Sequence, residues 1–111
     1  MPYDHNQVEV PESFVALYLR PGQLTPSATR EVVTRRYELC EDVAASLEEL
    51  AGALNNDRGI PEADVLRQCH RGLLEESSGL SDAEAAWVVQ RLAELRSWTC
   101  PAELAGRPTS G

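Results

Sequence analysis

The sequence predicts an all-α protein: a single-domain bundle of four helices, one of them short, organised around a long second helix. Three observations carry that prediction. Among its 42% hydrophobic residues Ala, Leu and Val are frequent and aromatics make up 5%, and no stretch alternates apolar and polar residues for long enough to suggest a sheet. Between Ser27 and Asn55 the residues Val33, Tyr37, Cys40, Ala44, Leu47, Ala51 and Leu54 recur at alternating steps of four and three, which holds them on one side of a helix. Finally, 111 residues suit one domain with a core that needs no disulfide or metal. We place that domain at residues 10–100, between flexible segments at 1–9 and 101–111.

The first helix follows Pro11, whose fixed φ suits a first helical turn, and Phe14, Leu17 and Tyr18 share its inner face. Pro21-Gly22 stops it. So short a helix is marginal alone and must dock to exist.

The second helix is expected to open at Thr25-Pro26, where a hydroxyl acceptor precedes a residue with no N–H to satisfy. It would be about 44 Å long at a rise of roughly 1.5 Å per residue. Val43 and Leu50 widen its apolar side enough to meet more than one partner helix, and Gly52 is the expected point of fraying. Arg36 projects from the apolar side near the N-terminal end, so it needs a carboxylate or a route to the surface along its stem. The run Asn55, Asn56, Asp57, Gly59 and Pro61 ends the helix.

A third helix opens at Pro61, with Glu62 and Asp64 near its positive end and Arg67 and Arg71 towards its negative end. Val65, Leu66, Cys69 and Leu73 form its core face. Gly72 marks either close helix approach or the start of unwinding. After a loop at Glu75 to Gly79, Ser81 and Glu84 form a capping box for the fourth helix, with Leu80 as the outer half of a hydrophobic staple. Ala85, Val88, Val89, Leu92 and Leu95 form its stripe, and Pro101 places its end near Thr99.

Composition removes several chemistries. The formal net charge of -8 repels a phosphate backbone, and the fourth helix, which would have to read a groove, sets Arg91 and Arg96 against Asp82, Glu84 and Glu94. We expect no nucleic-acid partner. All ten basic residues are arginine, so a P-loop lysine and a Schiff-base lysine are both impossible in this chain. Cys40, Cys69 and Cys100 form no CxxC pair, which points to a reducing compartment, and Cys69 and His70, being neighbours on a helix, diverge too far to share a tetrahedral metal. No Glu-x-x-His pair accompanies the acidic face of the long helix, and no serine lies in a GxSxG context. We expect no cofactor and no metal. With no basic n-region, no apolar h-region and no apolar run long enough for a bilayer, the expected place is the cytoplasm, away from membranes.

The segments Phe14-Val15-Ala16-Leu17-Tyr18, Arg20-Pro21-Gly22, Arg36-Tyr37-Glu38-Leu39-Cys40-Glu41-Asp42, Cys69-His70-Arg71-Gly72-Leu73-Leu74 and Trp87-Val88-Val89 together resemble a family of small uncharacterised proteobacterial proteins. Its members often carry the label "ATPase with chaperone activity". The resemblance spans residues 10–98, brings no catalytic residues to map, and implies a role accessory to chaperone machinery.

The expected function is a non-enzymatic protein-interaction or adaptor role in the bacterial cytoplasm; the alternative is a small enzyme or nucleotide-dependent chaperone component. The expected contact residues are Trp87, Arg91 and Trp98, binding a protein partner or a second copy of the chain. Eleven residues apart on one helix, the two tryptophans would lie within about 20° of each other and well off the core stripe. At least one of them, Trp98 near the helix end in preference to Trp87, is expected to stay partly exposed as the anchor; the alternative is that the first helix, with Phe14, Leu17 and Tyr18, packs over both as a second core seam.

Overall fold

The computed structural model describes residues 9–19 and 28–104. Among the described residues it holds no strand and four α-helices: α1 (Glu12–Val15), α2 (Arg30–Asn56), α3 (Glu62–Leu73) and α4 (Asp82–Arg96). Short 3₁₀ turns lie at Ala16–Tyr18, Glu76–Ser78 and Ala102–Leu104. The all-α class and the long second helix are as the sequence predicts. The chain divides into two compact units, Met1–Leu39 and Cys40–Gly111, with the boundary inside α2.

In the first unit, Pro11 is extended (φ -63°, ψ 151°), and its carbonyl accepts hydrogen bonds from the Phe14 and Val15 amides at 3.0 and 3.1 Å. Pro11 therefore precedes α1 as its N-cap and is not its first helical residue. One α turn follows, then a 3₁₀ turn, and Leu19 is already extended. Such a helix cannot hold itself, since nucleation costs more than one turn returns. Phe14 holds it: the side chain is fully buried, with its ring 5.6 Å from both Tyr18 and Tyr37 of α2. Burying a phenylalanine contributes about 2 kcal/mol, and tilted ring pairs add to that. The expected stop at Pro21-Gly22 lies outside the described residues.

The start of α2 differs from expectation. Ala28 sits in a bend, Thr29 is not yet helical, and the Thr29 hydroxyl accepts from the Val32 amide at 3.2 Å. Thr29 thus satisfies one of the free first-turn donors, and the helix begins at Arg30, not at Ser27. Thr25 and Pro26 lie outside the described residues. Arg36 is half-buried and has an interaction partner, which its place on the apolar side requires.

In the second unit, α2 buries Cys40, Ala44 and Ala51. Leu50 does not widen this face: it is 51% exposed, because it stands about 100° around the helix from Ala51. Val43 is half-buried. The helix runs unbroken through Gly52, which is buried, and ends at Asn56. Gly59 then adopts φ 69°, which an L side chain strains to reach, while Asn55 Nδ2 donates to the Ile60 carbonyl at 2.8 Å.

Pro61 caps α3 in an extended conformation, and Val65, Leu66, Cys69 and Leu73 are all buried as the periodicity predicts. Gly72 is exposed, with open space where a Cβ would stand, so it marks the approaching helix end and not a close approach. At α4 the capping box is complete: the Glu84 amide donates to Ser81 Oγ at 3.1 Å and the Ser81 amide to Glu84 Oε1 at 2.9 Å. Ala85, Val88, Val89 and Leu92 are fully buried, Leu95 partly, and Trp87 and Ala93 are buried besides. This helix is covered on more than one face.

The flexible tail expected from residue 101 gains structure in its first residues. Leu104 is 5% exposed, and Glu103 takes a hydrogen bond from Arg67 Nε at 2.8 Å, so the Ala102–Leu104 turn carries one buried apolar side chain and is tied to α3 by an ion pair. Residues 105–111 lie outside the described residues, as do 1–8 of the expected N-terminal segment.

Candidate interaction site at the end of the fourth helix

The end of α4 decides where the candidate residues go. The helix stops at Arg96, three residues before the expected Thr99, because Ser97 turns into the left-handed region (φ 59°, ψ 37°). The Ser97 amide donates to Glu94 O at 3.1 Å and the Trp98 amide to Ala93 O at 2.8 Å. Those two bonds are a Schellman stop, built here on serine where glycine is usual. Nothing in the local sequence announces it.

Trp98 therefore leaves the helix, and the helical projection that put it beside Trp87 does not apply. The structure does not assemble Trp87, Arg91 and Trp98 as one helical face. Trp87 is 7% exposed and belongs to the core, whereas Trp98 is half-buried. Arg91 is engaged: its Nε meets Glu41 Oε2 of α2 at 3.0 Å and its Nη1 meets Glu94 Oε1 at 3.1 Å. Burial lowers the Arg91 pKa, but the hydrogen bonds to Glu94 and Glu41 outweigh it and raise the balance. The cation is neutralised within the fold.

Arg96, one and a half turns further on, is the contrasting case, and sequence reasoning missed it as a site residue. Its guanidinium lies against Gly52 of α2, with Nη1, Nη2 and Cζ at 2.8, 2.9 and 3.0 Å from where a Cβ on that glycine would stand. Gly52 is a close approach, not a fraying point: any larger residue would displace the arginine. The Arg96 Cζ also stands 5.2 Å from the centre of the Trp98 ring, within cation–π range. Its Nε is buried without a hydrogen-bond partner, and among the described residues no carboxylate pairs with the guanidinium. In a chain with 18 acidic residues, that is the informative contact. The available signal is Gly52 itself, a glycine inside an otherwise strong helix, which marks either a weak point or a close approach.

The thiols do not form a second site. Burial pushes the Cys69 thiol up, and burial followed by the charge of Glu103 does the same to Cys100. Both are held as thiols, the unreactive form. Cys40 and Cys69 fill the core as small hydrophobes. Among the described residues no cluster of His, Cys, Asp or Glu is grouped to hold a metal ion, and no helix is long and apolar enough to cross a membrane. No family model matches the chain, and no curated protein or solved structure matches it either.

Proposed function

We propose that the protein is a non-enzymatic interaction or adaptor module of the bacterial cytoplasm, with the corner formed by Trp98, Arg96 and Gly52 as its contact site. The reading rests on one observation: a half-buried tryptophan stands beside an arginine that has no acidic partner among the described residues. Tryptophan and arginine are the residues most enriched where a few side chains carry the binding energy between proteins. A guanidinium already fixed by neighbouring groups loses little freedom on meeting a partner. Of the residues expected from the sequence, Trp98 keeps the anchor role. Trp87 supports the helix from within, and Arg91 holds α4 to Glu41.

The chaperone setting follows only from the family resemblance and is part of the proposal. The chain has no lysine and no GxxxxGK[ST] segment, which favours an accessory role over nucleotide hydrolysis. The test is capture of partners from the native cytoplasm by the wild-type chain and by Trp98→Ala, with thermal midpoints measured in parallel. Capture lost with the midpoint nearly unchanged supports the module. Saturable, magnesium-dependent ATP turnover by the purified protein would replace it with the enzymatic alternative.

A further inference from the structure

We infer that the outer face of α2 binds a second copy of the chain, with the two helices antiparallel about a two-fold axis near Glu41 and Asp42. This surface is not the Trp98 corner, and the two stand or fall separately. Of the five large apolar side chains exposed among the described residues, three lie on it: Val32, Leu39 and Leu50. Together with the half-buried Val43 they follow one another at steps of seven, four and seven residues, the spacing of a coiled-coil seam. The seam stands about 100° around the helix from the buried Val33, Cys40, Ala44 and Ala51, and runs for about 27 Å along one unbroken helix. A contiguous apolar row left in water marks an association face.

The occupant follows from the symmetry of the seam and from its charges. Val32 and Leu50 lie nine residues either side of Glu41, and Leu39 and Val43 lie two residues either side. An antiparallel copy centred there sets Val32 against Leu50 and Leu39 against Val43, twice each, as a self-complementary two-fold contact requires. Arg36 falls opposite Ser46, a polar layer that fixes the register. Charge sets the direction. The first half of the helix carries Arg30, Arg35 and Arg36 against Glu31 and Glu38, whereas the second carries Asp42, Glu48 and Glu49 besides the Arg91-bound Glu41, and no base. A parallel copy would lay acid on acid; an antiparallel copy lays the basic half on the acidic half. At the edge of the seam Arg35 and Glu49 lie seven residues either side of Asp42, so Arg35 of each copy meets Glu49 of the other. Both are exposed and, among the described residues, neither is in an ion pair. About 21 Å apart along their own helix, they cannot pair within one chain. The unfavourable contact is Asp42 against its own copy at the axis.

The test measures sedimentation of the full chain from about 5 to 500 µM at roughly 0.15 M salt, which screens the general repulsion between two acidic chains. We expect a reversible dimer. Arg35→Glu and Glu49→Arg should each weaken it about tenfold, because each reverses two symmetry-related pairs. An equimolar mixture of the two variants should recover the dimer, and so should one chain carrying both changes, since opposite charges face each other again in either case. Leu50→Glu should weaken it about a hundredfold with the thermal midpoint nearly unchanged. Asp42→Asn should tighten it, whereas Glu75→Gln, an equal change of charge in the loop after α3, should not. A chain that stays monomeric throughout overturns the inference, whether the face is bare or takes a different protein. So does a dimer that survives Leu50→Glu, a mixture of the two charge variants no more dimeric than either alone, or an Asp42→Asn chain that dimerises no more tightly than Glu75→Gln. Should Leu50→Glu fail to fold, the charge variants, all at exposed positions, decide the matter.

Discussion

The two ends of α4 follow opposite rules. At the N-terminal end Ser81 and Glu84 exchange backbone and side-chain hydrogen bonds, and Glu84 is 3% exposed, so the cap is both complete and covered. At the C-terminal end a serine takes a left-handed conformation, a buried Nε lacks a partner, and a tryptophan is left half-buried. The first of these costs about 1 kcal/mol and the second about 1–3 kcal/mol. Local rules kept at one end and broken twice within two residues at the other separate a region that makes stability from one that consumes it. Where such costs collect, a binding role is the physical reason to look for first.

The largest expected effect that would break this contrast is at Trp98. Trp98→Ala should weaken association with a captured partner about thirtyfold, the scale of a 2 kcal/mol interface anchor, as read by titration calorimetry. A fall in thermal midpoint as large as that of a core variant such as Val88→Ala would instead place Trp98 with the stabilising residues. At the opposite end, Ser81→Ala should cost about 1 kcal/mol in urea unfolding and leave partner binding unchanged. Ser97→Gly should raise stability by somewhat under 1 kcal/mol, because glycine reaches the left-handed region without strain. A loss there would mean that the serine side chain contributes something the conformational cost hides. The smallest effect belongs to Arg91→Ala, about 0.5 kcal/mol and diminishing as salt is added, since the Arg91 side chain is 34% exposed and its Glu41 partner 26%. A double-mutant cycle with Glu41→Ala isolates it.

The same contrast marks what could be read from the sequence. The capping box was legible because both of its partners lie within three residues, and the buried face of α3 was legible because Val65, Leu66, Cys69 and Leu73 repeat at helical spacing. Boundaries without a local signature were not. Thr29 caps α2 with a hydroxyl, but valine stands where a capping box would carry glutamate, and Thr25-Pro26 offered a stronger local pattern. Ser97 stops α4 without glycine, so the sequence pattern runs on to Thr99 and carries Trp98 with it. Leu50 reads as core in the sequence yet is exposed, because a stripe's width, unlike its spacing, depends on neighbours that the sequence does not name. The Arg96 corner depends on a contact 44 residues away along the chain, from Gly52 to Arg96, and no local pattern encodes it.

The ion pair between Arg67 and Glu103 has a consequence for the order in which the second unit assembles. It joins residues 36 apart, whereas α3 and α4 are successive in the chain and touch directly. The helix pair buries Val65, Leu66, Val88 and Val89, whereas the 3₁₀ turn adds one buried side chain, Leu104, and one exposed ion pair, so the turn is held by far less. The Ala102–Leu104 clasp should therefore dock last and open first. In native-state hydrogen exchange the Leu104 amide, bonded to Pro101 O at 2.9 Å, should exchange through local opening at a far lower free energy than the amides of Val88 and Val89. Glu103→Gln should speed that exchange and leave the two valines as they were.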